Sequence, residues 1–228
     1  MHDHDDDPSP HRAEGALDAE HACDGVLHRR ALLAGMLGLG GLLLPWPAHA
    51  APVAGAVSDL KGEAIAETAG SPRRLAPGVD VFVADTVSTG DDARIALKLG
   101  RATVVRLGAK ARLKIDAHLI DVGGELDLQS GPILFDRRSK GPQRSETVVR
   151  TPYGLLAVRG TRFWGGMSNG VFGVFVDSGR VDVTAAGRTV RLSRGLGTDI
   201  ARPGDPPTPP KVWGKPRIEA ALASVMPR

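Results

Sequence analysis

Cysteine and histidine are scarce in the main part of this sequence, and this scarcity removes most catalytic and metal-binding chemistry. The cysteine, Cys23, lies in the first fifty residues, so residues 51–228 contain none and can form no disulfide. Six of the seven histidines also lie in the first fifty residues, which leaves His118 without a second histidine. We therefore predict a protein that is not an enzyme and that binds no metal and no cofactor.

Aromatic residues are also few, at 4% of the chain, whereas charge is plentiful and unevenly placed. Residues 1–50 carry a net charge of about −5 and residues 51–228 about +8. A positive surface attracts anionic neighbours, but nucleic-acid binding needs aromatic stacking platforms among its basic residues. We therefore predict no nucleic-acid partner. An envelope protein or an acidic polysaccharide is the predicted partner, and a solvated basic surface is the alternative.

Residues 1–28 form a polar, acidic leader that begins with His2-Asp3-His4-Asp5-Asp6-Asp7. Such a composition cannot bury enough apolar surface to fold, so we predict disorder. Because histidine and aspartate are good metal ligands, a loose metal-binding tract is the alternative.

An apolar run, Ala31–Leu44, follows the leader and is closed by Pro45-Trp46-Pro47. Its 14 residues are fewer than the roughly 20 needed to span a membrane, and they are typical of the central part of a signal peptide. We interpret residues 29–50 as a signal peptide. An uncleaved anchor is the alternative, and it would be the protein's only contact with the membrane.

Two pairs of residues flank this run and suggest how it is used. Arg29 and Arg30 precede it as in a twin-arginine signal, although His28 replaces the usual Ser or Thr. Ala48 and Ala50 occupy the two positions that signal peptidase reads, which predicts cleavage after Ala50. We predict a periplasmic or secreted protein exported by the twin-arginine route, with general export as the alternative.

Residues 51–200 consist of short alternating runs separated by Gly, Pro and Asp. In Ala93–Leu99 the alternation places Ile95, Leu97 and Leu99 on one face of a strand. Roughly a dozen such strands, with no helical pattern between them, predict one all-β domain of mostly antiparallel strands. The architecture would be a sandwich, a roll or a solenoid-like fold.

Residues 201–228 differ from the body in composition. They begin with the Pro-rich linker Arg202–Pro210, which is typical of a stiff, extended segment. In the short tail that follows, Ile218, Leu222 and Val225 share one face of a possible helix spanning residues 217–226.

Three stretches give the sequence its resemblance to a known family: residues 78–97, residues 126–131 and residues 151–163. In the third, which is the most specific, Thr151-Pro152 is followed seven residues later by Arg159-Gly160-Thr161. Over residues 53–198 the chain resembles the FecR domain of bacterial envelope proteins. This resemblance implies the same all-β domain.

The resemblance implies a role in signalling across the envelope. In the best-known members the domain lies in the periplasm, senses an occupied siderophore receptor and controls an extracytoplasmic-function sigma factor. Here we expect a free-standing FecR-like domain, because residues 1–28 are too few for an anti-sigma domain and no further domain follows the body. We predict a non-catalytic binding, sensing or scaffolding module. A regulator of siderophore-linked sigma factor signalling that acts with separate partners is the alternative.

The third stretch also supplies the candidate contacts for a ligand or partner: Thr151, Pro152, Arg159, Gly160 and Thr161. The guanidinium group of Arg159 offers a planar fork to a carboxylate or a phosphate. The alternative is a buried arginine that ties strands together beside a glycine that allows close backbone approach.

Carboxylates supply the competing enzymatic hypothesis. As an oxygen-rich set they could bind calcium. Alternatively, two of them could act as the general acid and the general base of a polysaccharide hydrolase or lyase. Because most of them lie at strand ends or alternate outward, we favour roles in turns and at the solvated surface. The residues concerned are Asp80, Asp85, Asp91, Asp92, Asp116, Asp121, Glu125 and Asp127.

Overall fold

A computed structural model describes residues 51–116, 124–137 and 146–226, which belong to one unit, Ala48–Arg228. The described residues form sixteen strands and one helix. The strands are β1 Val53–Lys61, β2 Ala64–Thr68, β3 Ser71–Arg74, β4 Asp80–Phe82, β5 Thr86–Thr89, β6 Arg94–Leu99, β7 Thr103–Leu107, β8 Arg112–Ile115, β9 Gly124–Ser130, β10 Ile133–Arg137, β11 Thr147–Thr151, β12 Gly154–Ser168, β13 Val171–Ala185, β14 Arg188–Ser193, β15 Leu196–Ile200 and β16 Lys211–Val212; the helix is α1, Lys215–Ala223.

All sixteen strands belong to one sheet that turns back on itself along β12 and β13. The first half of β12 pairs with β11, and its second half pairs with β10. The order on one side is β3-β2-β5-β8-β9-β11, which we call the first wall. On the other side it is β10-β7-β6-β1-β4, which we call the second wall. Among the described strands, only the β9–β11 pairing is parallel, so the predicted all-β, mostly antiparallel class is confirmed.

Two bulges allow β12 and β13 to take part in both walls of the sheet. The pairing of these strands shifts register between Arg159 and Phe163, and Gly160 and Gly179 there have φ values of +58° and +85°. Bulges of this kind bend a strand and increase its twist. The strand beyond the bulge therefore continues in the other wall.

The core lies between the two walls. Each strand turns its alternate apolar side chains inward, and those of the first wall, such as Leu113 and Leu126, join those of the second wall, such as Leu97 and Phe135, in one cluster. Ile95 is 2% exposed and Leu97 and Leu99 are fully buried, which confirms the face predicted from the alternation.

A second, smaller apolar cluster lies on the outer side of the second wall. Leu134, Trp164 and Phe175 lie side by side there on β10, β12 and β13. Trp213 and the apolar residues of the C-terminal segment cover this row. The helical face predicted from the sequence is confirmed, since Ile218, Leu222 and Val225 all belong to this cluster.

Polar contacts fasten the same C-terminal segment. Arg217 donates two hydrogen bonds to the carboxylate of Asp199, at 2.6 and 3.2 Å, and its guanidinium group lies 3.6 Å from the centre of the Trp213 ring. Lys211 also contacts Asp199, at 2.6 Å. No helix in the described ranges has the length and apolar composition needed to cross a membrane.

Candidate functional site

The turn that joins β11 to β12 contains the predicted contacts Thr151 and Pro152. The hydroxyl of Thr151 accepts hydrogen bonds from the N–H groups of Tyr153 and Gly154, at 3.1 and 3.0 Å, and donates to the carbonyl of Gly154 at 2.9 Å. Thr151 therefore fixes the shape of the turn, while Pro152 is exposed at its tip.

An apolar pocket of about 240 Å³ lies beside this turn, and we call it the Tyr153 pocket. The Tyr153 ring stacks on Phe172 with centroids 4.6 Å apart and planes inclined by 6°. Met167 is 53% exposed at its rim, with its sulfur 3.5 Å from the Tyr153 hydroxyl. The remaining lining residues are Leu128, Gln129, Ser130, Gly131, Pro152 and Pro203.

The Tyr153 pocket joins two of the three stretches that carried the family resemblance. Residues 126–131, which include the turn after β9, line one side of the pocket, and residues 151–163 line another side. Among the predicted contacts only Pro152 lines it. Sequence reasoning missed Met167, Phe172 and Pro203, because these residues come from separate elements and follow no spacing pattern. It also missed Tyr153, although this residue directly follows Pro152.

A larger cleft of about 330 Å³ lies at the turn between β1 and β2, lined by Gly62–Ile65, Arg74 and Leu75. Its charged residues, Arg74 and Glu63, are highly exposed and face each other at 3.6 Å. Exposed ion pairs contribute little binding or stability. The Tyr153 pocket, with its stacked rings, is the better defined of the two.

Arg159, Gly160 and Thr161 lie together at the β12 bulge, away from the residues that line the Tyr153 pocket. Thr161 is 1% exposed, and its hydroxyl contacts the backbone of its own strand at Arg159 and of β13 at Arg180. Arg159 is exposed, so the alternative of a buried arginine that ties strands together is wrong. Thr161 makes that connection instead, through backbone hydrogen bonds.

Asp85 departs from the expected outward placement of the carboxylates, because it is fully buried. It accepts hydrogen bonds from the side chains of Thr68 and Arg73 and from the N–H of Phe82, the last at 2.7 Å. A buried carboxylate needs such partners to offset its desolvation. Asp85 therefore connects β2 and β3 to the turn between β4 and β5.

Two other aspartates have altered acidity. Hydrogen bonds from Arg191 lower the pKa of Asp182. Burial by itself would raise the pKa of Asp199, but hydrogen bonds from Arg217 and Lys211 outweigh it and leave that pKa below the usual value. Carboxylates with a lowered pKa are poor general acids at neutral pH.

Several predicted residues lie outside the described ranges. These include the signal residues Arg29, Arg30, Ala48 and Ala50, together with His118 and Asp121. Within the described ranges, no three His, Cys, Asp or Glu side chains are grouped closely enough to bind a metal ion.

Residues 85–182, from the buried Asp85 to β13, match the model of the FecR protein family. The chain contains a FecR domain. This confirms the resemblance read from the sequence, over a shorter range than residues 53–198. Apart from Pro203, every residue lining the Tyr153 pocket lies within the FecR domain.

Solved structures share the fold of this domain. Two crystal structures of a candidate anti-sigma factor from Parabacteroides distasonis, at 2.50 and 1.65 Å resolution, align with a TM-score of 0.51 and 17% sequence identity. The alignments cover 60% of this chain and 63% or 64% of the other, which is less than two thirds of its length. At this identity the likeness concerns the fold. No curated protein matches the chain.

Proposed function

We propose that the protein is an exported, non-catalytic binding or sensing module of the bacterial envelope, and that the Tyr153 pocket receives an apolar side chain of a partner protein. The observation that carries this proposal is an apolar pocket inside the FecR domain, with the exposed Met167 at its rim. Methionine adapts its shape to different apolar partners and is common at binding surfaces.

The dimensions of the pocket favour a protein partner over a metabolite. Its volume of about 240 Å³ falls below the roughly 300–1,000 Å³ that is usual for sites that enclose small molecules. Its polar groups are the side chains of Gln129 and Ser130 and the hydroxyl of Tyr153, and its other side chains are apolar. A space of this kind suits one anchoring side chain of a larger surface.

Site-specific photo-crosslinking tests the proposal. A photoreactive phenylalanine analogue is placed at Met167 in the full chain, expressed in a bacterial host, and adducts are sought in periplasmic and membrane fractions. Ile65, which is 41% exposed and lies away from the pocket, provides the matched control position. We expect a discrete protein adduct from position 167 alone. Equal adducts from both positions, or adducts with cytoplasmic proteins only, would contradict the proposal.

The alternative of a polysaccharide hydrolase or lyase has less support. Such an enzyme needs one carboxyl group with a raised pKa opposite a second carboxylate. Asp182 and Asp199 have lowered pKa values, and Asp85 is buried in hydrogen bonds with Arg73 and Thr68. These carboxylates are therefore used in structural ion pairs.

A second candidate function is regulation of siderophore-linked sigma factor signalling together with separate partners. It is favoured by the fold shared with the candidate anti-sigma factor and by the FecR domain itself. Deletion of the gene, followed by measurement of transcripts under iron limitation, tests it. Altered transcription of one receptor operon would support it, and unchanged transcription would leave the binding module as the function.

A further inference from the structure

Two arginines face each other across the long hairpin of β12 and β13. Arg159 and Arg180 are register partners, and both are exposed. Within the described ranges, neither side chain forms a hydrogen bond or an ion pair of 4 Å or less, although the charge of Arg180 helps to lower the pKa of Asp182. Like charges directly opposite each other on neighbouring strands destabilise a sheet. This pair therefore has a cost in the free protein that an anionic partner would remove.

The backbone beneath the two arginines is held in place. The hydroxyl of Thr161 donates to the carbonyl of Arg180 at 2.7 Å and accepts from its N–H at 3.1 Å. The same hydroxyl lies 3.0 Å from the carbonyl of Arg159. One buried side chain thus contacts the backbone of both arginines and fixes their positions relative to each other.

Glycines complete this arrangement at the bulge. A side chain at Gly179 would place its Cβ 2.5 Å from the carbonyl oxygen of Gly160. Both glycines also have positive φ values, which other residues adopt only with strain. These two glycines therefore allow the two strands to approach each other closely beneath Arg159 and Arg180.

The surrounding face identifies the kind of partner. Nearby acids on this face are neutralised by neighbours, with Asp182 bound to Arg191 and Glu125 to Arg150. On β12 the same face continues from Arg159 to Leu155, which is 39% exposed. A surface that combines arginine with an exposed apolar residue is typical of protein interfaces, so the exposed apolar residue favours a protein over a purely polyanionic partner.

We propose that Arg159 and Arg180 together bind a carboxylate on the surface of a partner protein, with Leu155, four residues away along β12, as an apolar contact on the same face. Each guanidinium group offers a planar fork of donors to the carboxylate oxygens. This inference rests on the proposed role as a binding module, but it does not depend on the Tyr153 pocket, since none of the three residues lines that pocket.

A peptide titration tests this site. The probe is a synthetic peptide, Gly-Ser-Leu-Glu-Glu-Leu-Gly-Ser, added to the isotope-labelled full chain while NMR shifts are recorded. We expect shift changes centred on Arg159, Arg180 and Leu155. The variant with Arg159→Gln and Arg180→Gln should bind about tenfold more weakly, as expected for loss of charge-assisted hydrogen bonds.

The matched control is the variant with Arg188→Gln and Arg194→Gln, which removes the same charge from two other exposed arginines without an ion pair in the described ranges. It should retain binding within about twofold, because screened surface charges contribute little. A peptide with Gln in place of Glu should not bind, and Met167→Ser should bind the original peptide normally, which keeps the test independent of the Tyr153 pocket.

Four outcomes would overturn the assignment: no binding of the glutamate peptide by the natural chain, equal binding of the glutamine peptide, equal loss in both double variants, or binding of phosphatidylglycerol vesicles but not of the peptide. The last would indicate a membrane surface as the anionic partner. Failure of crosslinking at Met167 with normal peptide binding would reject the pocket and leave the arginine site intact.

Discussion

At the scale of single residues, Thr161 shows how one hydroxyl supports a bulge. Thr161→Val keeps the shape of the side chain but leaves the N–H of Arg180 without its partner. We expect a loss of about 1–3 kcal/mol in the free energy of unfolding, measured by chemical denaturation. Thr161→Ser keeps the hydroxyl and should lose less. If the valine variant were as stable as the natural chain, the hydroxyl would have no structural role.

Asp199 is the residue whose ionisation should be visible in stability. Its pKa is lowered in the folded protein, since hydrogen bonds from Arg217 and Lys211 outweigh the effect of burial. The folded state therefore binds this proton less readily than the unfolded chain. The contribution is fully present above the unfolded value near 4 and is lost as the pH falls through the lower folded value.

Denaturation curves recorded from neutral to acidic pH measure this effect. We expect Asp199→Asn to be less stable at neutral pH and to lose less stability on acidification than the natural chain. Asp92→Asn changes an exposed aspartate in a turn and is the matched control, with a change of less than about 0.5 kcal/mol expected at neutral pH. An unaltered acid dependence in Asp199→Asn would mean that other carboxylates, such as Asp182, control it.

At the scale of elements, strand alternation was a reliable guide where strands are short. The pattern of Ala93–Leu99 predicts one buried face, and β6 has it. The alternation is interrupted in β12 and β13, where Gly160 and Gly179 form bulges inside continuous strands. A turn and a bulge require the same backbone freedom, so local sequence cannot separate them.

The candidate site was less predictable than the fold. Pro152 was identified because it belongs to a motif, whereas Tyr153, Met167 and Phe172 come together only when β12 folds back on β13. Their association depends on pairing between distant residues and not on local spacing. Arg159 was identified for its chemistry, but its exposure could not be read from an alternation that the bulge interrupts.

The C-terminal segment behaves as an element of the fold through Trp213. This side chain is 3% exposed, lies against Phe175 and Trp164, and occupies space that side chains at Gly173 and Gly197 would fill. Trp213→Ala should lower the free energy of unfolding by about 3–5 kcal/mol, measured by chemical denaturation.

Val212 provides the control for this prediction. It precedes Trp213 but is 78% exposed, so Val212→Ala should change stability by less than about 0.5 kcal/mol. Equal, small effects of both substitutions would show that the segment does not stabilise the sheet. A large effect of Trp213→Ala would show that the second apolar cluster is part of the folded unit.

At the scale of the whole molecule, the family match covers fewer residues than the folded unit. The FecR match ends at residue 182, within β13. The fold continues through β14, β15 and β16 to the helix, which covers the outer row of Leu134, Trp164 and Phe175. The residues beyond the family match therefore complete the burial of apolar surface that begins inside it.

Export is the remaining prediction at this scale, and it depends on Arg29 and Arg30. Residues 1–55 are fused to a reporter that is active only outside the cytoplasm and can be exported folded. Because the twin-arginine route reads the arginine pair itself, replacing both residues by lysine should abolish export although the charge is unchanged. Arg12→Lys, in the polar leader, should export normally. If the reporter is still exported after the paired substitution, the twin-arginine route is rejected in favour of general export. If the reporter stays in the cytoplasm with the natural sequence, export itself is rejected.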